Sequence, residues 1–574
     1  MNNTDIIKRL LGFVAQSKGL LVISFLSAIL SVLLSLCAPL VIGNAIDAIS
    51  AHHSIEAALS HIFLLAGIYI AYSLFNWCMM YTSNKIAYSS SCTLRKMLYH
   101  KLDHMPISFY DSHARGDLIS RFVNDIDLIS DGLLQGLSTM ISGAVTIVAA
   151  IIFMLQINWQ MSLVVMISAP FTYLVAKTIT RRSQKYFREQ SQTLGKLNGY
   201  SEEMLSSIKT VKAYHYEERA EHTFQDINQV LYASGVKSQF YGSLANPSTR
   251  FVTNVAYSLV GMAGGILALQ QLITVGNIST FLIYSNLFSK PFNEITGVIT
   301  QLQSAVASGR RIFTLLDLDE EEDDSHEQVL SQAQGHVEFQ HVSFSYEKGK
   351  PLMKNLCLNI PAGSKIAVVG KTGAGKTTLV NLLMRFYEID EGKILVDGVD
   401  VHTLTRDSLR QQFGMVLQDT YLFEDTIAAN IAYGKDKASR EEIIAAAKKS
   451  GAHDFIRRLS KGYDTLLHAN SNSLSQGQRQ LLSITRVLLK DPSILILDEA
   501  TSSIDTRSEQ HVNKAMELLM EGKTSFVIAH RLSTIVHSDL ILVMEHGDIV
   551  EQGTHEELLH KKGCYYQLYN SQFS

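Results

Sequence analysis

The 574-residue chain is short of charge: 18% of its residues are Asp, Glu, Lys or Arg, against about 25% in ordinary globular domains. Its net charge is -4, with no basic excess, and this speaks against nucleic acid as a partner. Cysteine is scarce as well. Cys37, Cys78, Cys92, Cys357 and Cys564 are scattered, odd in number and without metal-ligand spacing. That excludes a disulfide framework and leaves buried or reduced thiols. The chain does not open on a short apolar stretch ending in a small-residue cleavage site, so no signal peptide is expected.

The missing charge is missing from particular places. Residues 19–46, 57–84, 133–176 and 251–289 contain no Asp, Glu, Lys or Arg. A membrane-spanning helix needs about 20 mostly apolar residues. Breaks at "INWQ" (157–160) and "QQLITVGN" (270–277) split the two longer stretches, so six spans are expected: one, one, two and two. Lys and Arg avoid the three putative outer loops, "SAHHSIEA", "INWQ" and "QQLITVGN". They gather on the other side, among them Lys8, Arg9, Lys85, Arg95, Arg181, Arg182, Lys185 and Arg188. Positive residues mark the cytoplasmic side. This predicts a multi-pass protein of the inner, cytoplasmic membrane with both termini in the cytoplasm.

The inner connections, 85–132 and 177–250, keep helical periodicity. About 25 extra helical residues would carry each hairpin arm nearly 40 Å into the cytosol. At the N-terminus, Ile6, Ile7, Leu10, Leu11 and Val14 predict a short amphipathic helix able to lie on a membrane surface. Lys290 and Glu294, one turn apart beside Pro291, fall in the last span. Either they face a cavity or partner helix, as ionisable groups at such depth usually do, or that end of the helix is already in water.

Near Ser308 the apolar pattern fades. The expected organisation is a transmembrane domain over 1–310, an acidic linker over 311–335 and a soluble domain over 336–574. The run "LDLDEEEDDSHEQ" (316–328) reads as solvated chain without chemistry. The strand "SKIAVVG" then enters "GKTGAGKTTLVNLL" (370–383), which fits G-x-x-x-x-G-K-[ST]. Backbone amides of Gly370, Lys371, Thr372, Gly373, Ala374 and Gly375 can wrap phosphates. Lys376 can reach the β- and γ-phosphates, the Thr377 hydroxyl can hold Mg²⁺, and Thr378 follows at the helix N-terminus. ATP and Mg²⁺ are the expected ligands.

"SILILDEA" (493–500) is a second buried strand ending in two acids. Asp498 suits a magnesium ligand and Glu499 a group that polarises the attacking water, with helix capping as the structural alternative. "TSFVIAH" (524–530) brings His530 to the same edge as a γ-phosphate sensor. "VLQD" (416–419) supplies Gln418 for Mg²⁺ or water. Tyr346 can stack on adenine. In "SLSQGQRQ" (473–480), Ser475 and free amides at the start of a helix over 477–490 form a second anion-binding terminus. Two such surfaces on one domain suggest two domains facing each other, each closing the other's ATP.

On this joint pattern the chain resembles the ATP-binding cassette (ABC) exporters, as a half-transporter of the multidrug type. The resemblance covers nearly the whole chain. It implies a helical membrane domain followed by an α/β P-loop nucleotide-binding domain, with Leu474, Ser475, Gln476, Gly477 and Gln478 as the signature that contacts the partner's ATP. "FYDSHARGDLISRF" (109–122) and "TVKAYHYEERA" (210–220) look like the family's two coupling segments, which dock on the nucleotide-binding domains. Two departures stand out. Gln476 occupies the second glycine of LSGGQ, and "HANSNS" (468–473) stands where the family usually has a Glu between glycines. The first resembles the heterodimeric branch of the exporters and favours a different half-transporter as partner over a homodimer. The implied function is ATP-driven export of a hydrophobic or amphipathic small molecule that is drug-, lipid- or peptide-like. An exporter-fold importer and a nucleotide-gated signalling subunit remain as alternatives, the second opposed by the presence of Glu499.

Overall fold

The computed structural model describes residues 2–52, 56–322, 324, 326–347, 349–417, 420–468, 474–498, 506–528 and 535–572. The chain forms two compact units. One comprises Met1–His104 and His113–Asp319, the other Met105–Ser112 and Glu320–Ser574.

The first unit is helical. Its elements are α1 (Asn3–Ala15), α2 (Lys18–His52), α3 (Glu56–Asp103), α5 (Arg115–Ser120), α6 (Ile126–Ile157), α7 (Trp159–Ser206), α8 (Ile208–Ala213), α9 (Glu217–Leu269) and α10 (Val275–Leu316), while α4 (Ile107–Ser112) belongs to the second unit. Among the described residues, Lys18–Ala51, Leu59–Asp103, Arg115–Ile157 and Glu217–Leu269 are long and apolar enough to cross a membrane. The stretches expected as fourth and sixth spans fall on α7 and α10, which are not among these four. The turns fall where the uncharged stretches break. Asn158 alone joins α6 to α7, in an extended conformation, and its side chain accepts from the amides of Gln160 (2.9 Å) and Met161 (3.1 Å). This is N-capping by a short polar side chain. Thr274 caps α10 through the Asn277 amide, and the Asp47 carboxylate accepts from the Thr274 hydroxyl (2.6 Å) and the Gly276 amide (2.8 Å).

Pro39 interrupts the hydrogen-bond ladder of α2 because it has no N–H. Two α10 side chains bind the backbone there: Thr280 donates to the Pro39 carbonyl (3.0 Å) and Tyr284 to that of Leu36 (2.5 Å). Side-chain partners of this kind are what make a proline tolerable inside a spanning helix. Around them Val32, Leu36, Met154, Met161, Val260 and Phe281 form a buried cluster.

A π-helical turn, Arg121–Asp125, leads into α6. It delivers the buried Asp125 carboxylate to α10, where it accepts from the Arg311 guanidinium at two points and from the Ser308 hydroxyl (3.0 Å). The pairing holds the Arg311 charge more firmly than usual. Asp125→Ala is expected to cost about 2 kcal/mol of stability, since it removes charge-assisted bonds but leaves a half-exposed cation that water can reach. Thermal unfolding of the detergent-solubilised protein measures this. The Asp125→Ala/Arg311→Ala double variant should lose scarcely more than the single one.

Two sequence expectations change. The stripe Ile6, Leu10 and Val14 is buried, with Ile6 and Leu10 against α10 at Gly309 and Phe13 stacked on Phe313. Only Ile7 and Leu11 remain exposed, so the inward half of that face is taken by protein instead of membrane surface. The helix α10 also continues through Leu316 because Ile312, Phe313 and Leu315 are buried. The linker therefore begins later than residue 311.

The second unit holds two sheets. Strands β1 (Val337–Phe344), β2 (Met353–Ile360), β4 (Glu391–Val396) and β5 (Val399–Asp400) form an antiparallel sheet in the order β2-β1-β4-β5. The larger sheet has the order β10-β9-β3-β8-β7-β6. It is built from β3 (Lys365–Val369), β6 (Phe413–Val416), β7 (Ile494–Asp498), β8 (Thr524–Ile528), β9 (Leu540–Glu545) and β10 (Asp548–Gly553). All its pairs are parallel except the edge pair β9–β10. Four of the five residues of β3 and β7 are buried, as expected of central strands covered on both faces.

The acidic segment is not merely solvated. Glu321, Asp324 and Glu388 lie 3.0–3.2 Å from the nearly buried guanidinium of Arg406. The α4 segment is held in the same unit by a hydrogen bond from the Tyr387 hydroxyl to Asp111. Burial, followed by that carboxylate, raises the Tyr387 pKa far above the ordinary tyrosine value.

Candidate functional site

In open parallel sheets, ligands bind outside the carboxyl ends of the strands. The loop 370–375 leaves β3 at that edge and runs into the helix Lys376–Leu383. Gly370 has φ +155°, and a Cβ there would lie 2.4 Å from the Met544 carbonyl oxygen. Gly375, with φ +99°, is the N-cap of the helix. Only glycine adopts such conformations readily. The Gly547 amide in the β9–β10 turn donates to the Ala374 carbonyl (2.9 Å) and pins the loop from behind.

The Lys376 side chain is folded into this loop. Its ammonium donates to the carbonyls of Gly370 (2.6 Å) and Lys371 (3.2 Å). Burial lowers its pKa, and the Asp498 carboxylate opposes that effect. The ammonium thus feels the charge at the end of β7. Lys371, Thr372, Gly373 and Thr377 are exposed, while Ala374 and Thr378 are buried. Thr378 Oγ1 is 3.0 Å from the Tyr346 hydroxyl. Tyr346 therefore stands beside the loop, half-exposed, with its ring edge-on to Tyr387 at 5.0 Å. A cavity of about 540 Å³ follows the loop's other flank, lined by Lys371, Thr372, Glu545, His546 and Gln567 among others. Lys376 and Thr377 do not line it, so it is not the phosphate cradle.

Asp498 ends β7. Glu499, His530 and Gln418 lie outside the described residues, one or two positions beyond the last described residues Asp498, Ile528 and Leu417. Residues 469–473 are also outside them.

The signature helix runs Gln476–Lys490, starting one residue earlier than expected. Ser475 is its N-cap. The Ser475 hydroxyl accepts from the Gln478 amide (3.3 Å), and the Gln478 side chain accepts from the Ser475 amide (2.9 Å). This is a reciprocal capping box. It uses one of the amides expected to be available to an anion and leaves those of Gln476 and Gly477 at the tip of the helix, where no carbonyl precedes them. Leu474 is buried, while the Gln476 side chain is exposed at the first helical position.

Lys290 and Glu294 form a 3.9 Å ion pair on an exposed face of α10. At 1.5 Å per residue they lie about 22 and 28 Å from the start of that helix, near one boundary of a hydrocarbon core about 30 Å thick.

Sequence reasoning missed the Tyr346–Thr378 bond and the Gly547 brace. The glycine of the "EHGD" turn was the available signal for the second.

A helical membrane unit on the same chain as a phosphate loop set in a parallel sheet defines a nucleotide-driven membrane machine. Residues 21–292 match the ABC transporter transmembrane region, and residues 353–502 match the ABC transporter family. The chain is 42% identical over 568 residues to the uncharacterized ABC transporter ATP-binding protein YfiC of Bacillus subtilis (strain 168), covering 99% of this chain and 94% of that protein. It is 41% identical to the fatty acid ABC transporter ATP-binding/permease protein of Mycobacterium bovis, covering 92% and 82%. It is 36% identical to the ATP-dependent lipid A-core flippase of Escherichia coli (strain K12), covering 87% and 85%. Among solved structures, a bacterial Atm1-family ABC exporter with ATP bound superposes with a TM-score of 0.76 at 30% identity, covering 96% of this chain and 98% of that one. The chain belongs to the ABC exporters. It is a multi-pass membrane half-transporter that binds ATP and couples its hydrolysis to transport.

Proposed function

We propose that the chain exports an amphipathic, lipid-like molecule across the inner membrane, as one half of a dimer with both termini in the cytoplasm. The observation that carries this reading is the set of four uncharged stretches in the membrane unit. They suit an apolar cargo better than a sugar or small ion, and the names of the fatty acid and lipid A-core relatives agree. Lys290 and Glu294 are the ionisable pair placed to meet the cargo's polar end.

The nucleotide roles we assign rest on the phosphate loop and the sequence motifs around it. Amides of the 370–375 loop and Lys376 hold the β- and γ-phosphates, Thr377 and Thr378 open the helix beneath them, and Tyr346 stacks on adenine. Magnesium, when bound, offsets charge on the phosphate oxygens. Thr377, Gln418 and Asp498 are the oxygen donors suited to it. Glu499 orients and polarises water, and His530 contacts the γ-phosphate. Leu474–Gln478 of one half closes the ATP of the other.

The test is reconstitution in proteoliposomes with a fluorescent fatty acid or phospholipid analogue. ATP-dependent movement of the probe, absent with Glu499→Gln, is expected. Movement of neither class of probe, with ATPase intact, would reject the lipid-like cargo.

A second point concerns the partner. Gln476 puts a long side chain where glycine lets the backbone approach the γ-phosphate. This chain's own catalytic set is complete in sequence, so the substitution weakens the partner's site instead. We therefore favour pairing with a different half-transporter that has a regular signature. Robust cargo-stimulated ATPase from this chain alone, running as a dimer, would instead establish a homodimer that tolerates Gln476.

A further inference from the structure

Four arginines of the helical unit are paired with carboxylates, while several cations, six of them where α7 and α9 leave the membrane, are not. Arg9 pairs with Asp317, Arg95 with Asp127, Arg121 with Asp117 and Arg311 with Asp125. Arg181, Arg182, Lys185 and Arg188 on α7, with Lys237 and Arg250 on α9, are all exposed. Among the described residues none of these six has a carboxylate within ion-pair distance. The sequence explains why: from Leu133 to Arg188 and from Ile227 to Leu269 there is no Asp or Glu. A preference for positive residues on the cytoplasmic side accounts for cations there. The acid-free stretches end there: Glu189 follows Arg188, one turn from Lys185, and on α9 the next acid is Asp226, eleven residues before Lys237.

Depth follows from helix length. Arg181 lies 22 residues past the first residue of α7, and Arg250 lies 19 residues before the last residue of α9. At 1.5 Å per residue both sit about 30 Å from the opposite ends of their spans, which is the inner edge of the hydrocarbon core. Arg182 is at the same level, and Lys185, Arg188 and Lys237 follow within about 20 Å. The two helices pack together. Tyr186 and Tyr241 stack with centroids 5.1 Å apart and planes 7° from parallel. The ammonium groups of Lys185 and Lys237 stand 5.8 and 5.9 Å from the Tyr186 ring centre. The stack, about 10 Å beyond that edge, joins the two sets of cations into one surface that runs from the headgroups into the cytosol.

We propose that this α7–α9 surface binds the anionic headgroups of phospholipids in the cytoplasmic leaflet. Arg181, Arg182 and Arg250 lie at the leaflet's edge and Lys185 and Arg188 within about a Debye length, about 8 Å, of its headgroups, so a negatively charged leaflet supplies counter-charge to these five. The site is independent of which molecule is exported. It fits a lipid surface better than a free anion, because the cations are spread along the edge of the membrane instead of converging on one point.

The test uses the full-length transporter in vesicles of phosphatidylcholine alone and of phosphatidylcholine mixed with phosphatidylglycerol. Spin-labelled phosphatidylglycerol and phosphatidylcholine report which lipid the protein retains. The wild type should retain phosphatidylglycerol preferentially, and high salt should weaken the preference. Replacing Arg181, Arg182 and Arg188 together by Gln should lower it by up to about fivefold per cation removed. The same three positions as Lys should keep it, which separates charge from folding. Equal retention of both lipids by the wild type would overturn the proposal. So would a Gln variant that keeps its lipid preference but falls apart as a dimer, because the cations would then face carboxylates of a second subunit. Lipid retention is read without transport, so failure of the export reading and failure of this site are separable.

Discussion

Glu499→Gln is expected to lower the ATPase rate of the purified transporter by about 10²- to 10⁴-fold while leaving ATP binding intact. Its neighbour Asp498 ends the buried strand β7 and acts electrostatically on Lys376. Asp498 thus ends at the sheet edge that carries the phosphate loop, and Glu499 is the next residue in the chain. The substitution keeps the size of the side chain and removes its ability to accept a proton. The loop, Lys376 and Asp498 are untouched, so nucleotide should still bind and should be released more slowly. Phosphate release and retention of labelled ATP, measured together with the natural partner if there is one, distinguish the two steps. Retention of more than about a third of the activity would show that another group polarises the water.

Lys376→Ala should fail earlier, at binding. The ammonium is nearly buried and donates to two loop carbonyls. A charge-assisted bond to a phosphate oxygen contributes about 1.5–3 kcal/mol. Its loss should weaken ATP binding by about 10- to 100-fold and hydrolysis with it. Lys376→Arg should not restore activity, because a planar fork does not fit the space of a compact ammonium. Equilibrium binding of a fluorescent ATP analogue gives the answer. Unchanged affinity with lost hydrolysis would move Lys376 from binding to transition-state stabilisation alone.

The parts of the fold that could be read from sequence are those whose cause is local. The phosphate loop is a strand, a glycine turn and a helix in nineteen consecutive residues, Lys365–Leu383. The helical hairpins announce themselves by uncharged stretches with a polar break. Contacts between distant segments could not be read in the same way. Ile6, Leu10 and Val14 have the pattern of a surface-lying helix, and only the position of α10, about 300 residues later, shows what covers them. Glu321 and Asp324 look like members of a solvated acidic run until Arg406 is placed between them. The start of the Gln476 helix is local as well and could be read. Ser475 followed three residues later by Gln478 is itself a helix-start signal.

The joint at Asn158 has a mechanical consequence. One residue separates α6 from α7, and its own side chain is spent on holding the second helix. Such a joint has no slack. A tilt of α6 must be passed to α7 at full amplitude, as in a crank. Between α9 and α10, Ile273 is buried and Thr274 is tied to Asp47, so only the exposed residues 270–272 can absorb part of a comparable movement. The same stiffness makes the first turn a poor place for an inserted tag or label. Residues 270–272, exposed between the two helices, are the place where an engineered probe can follow the helices without driving them.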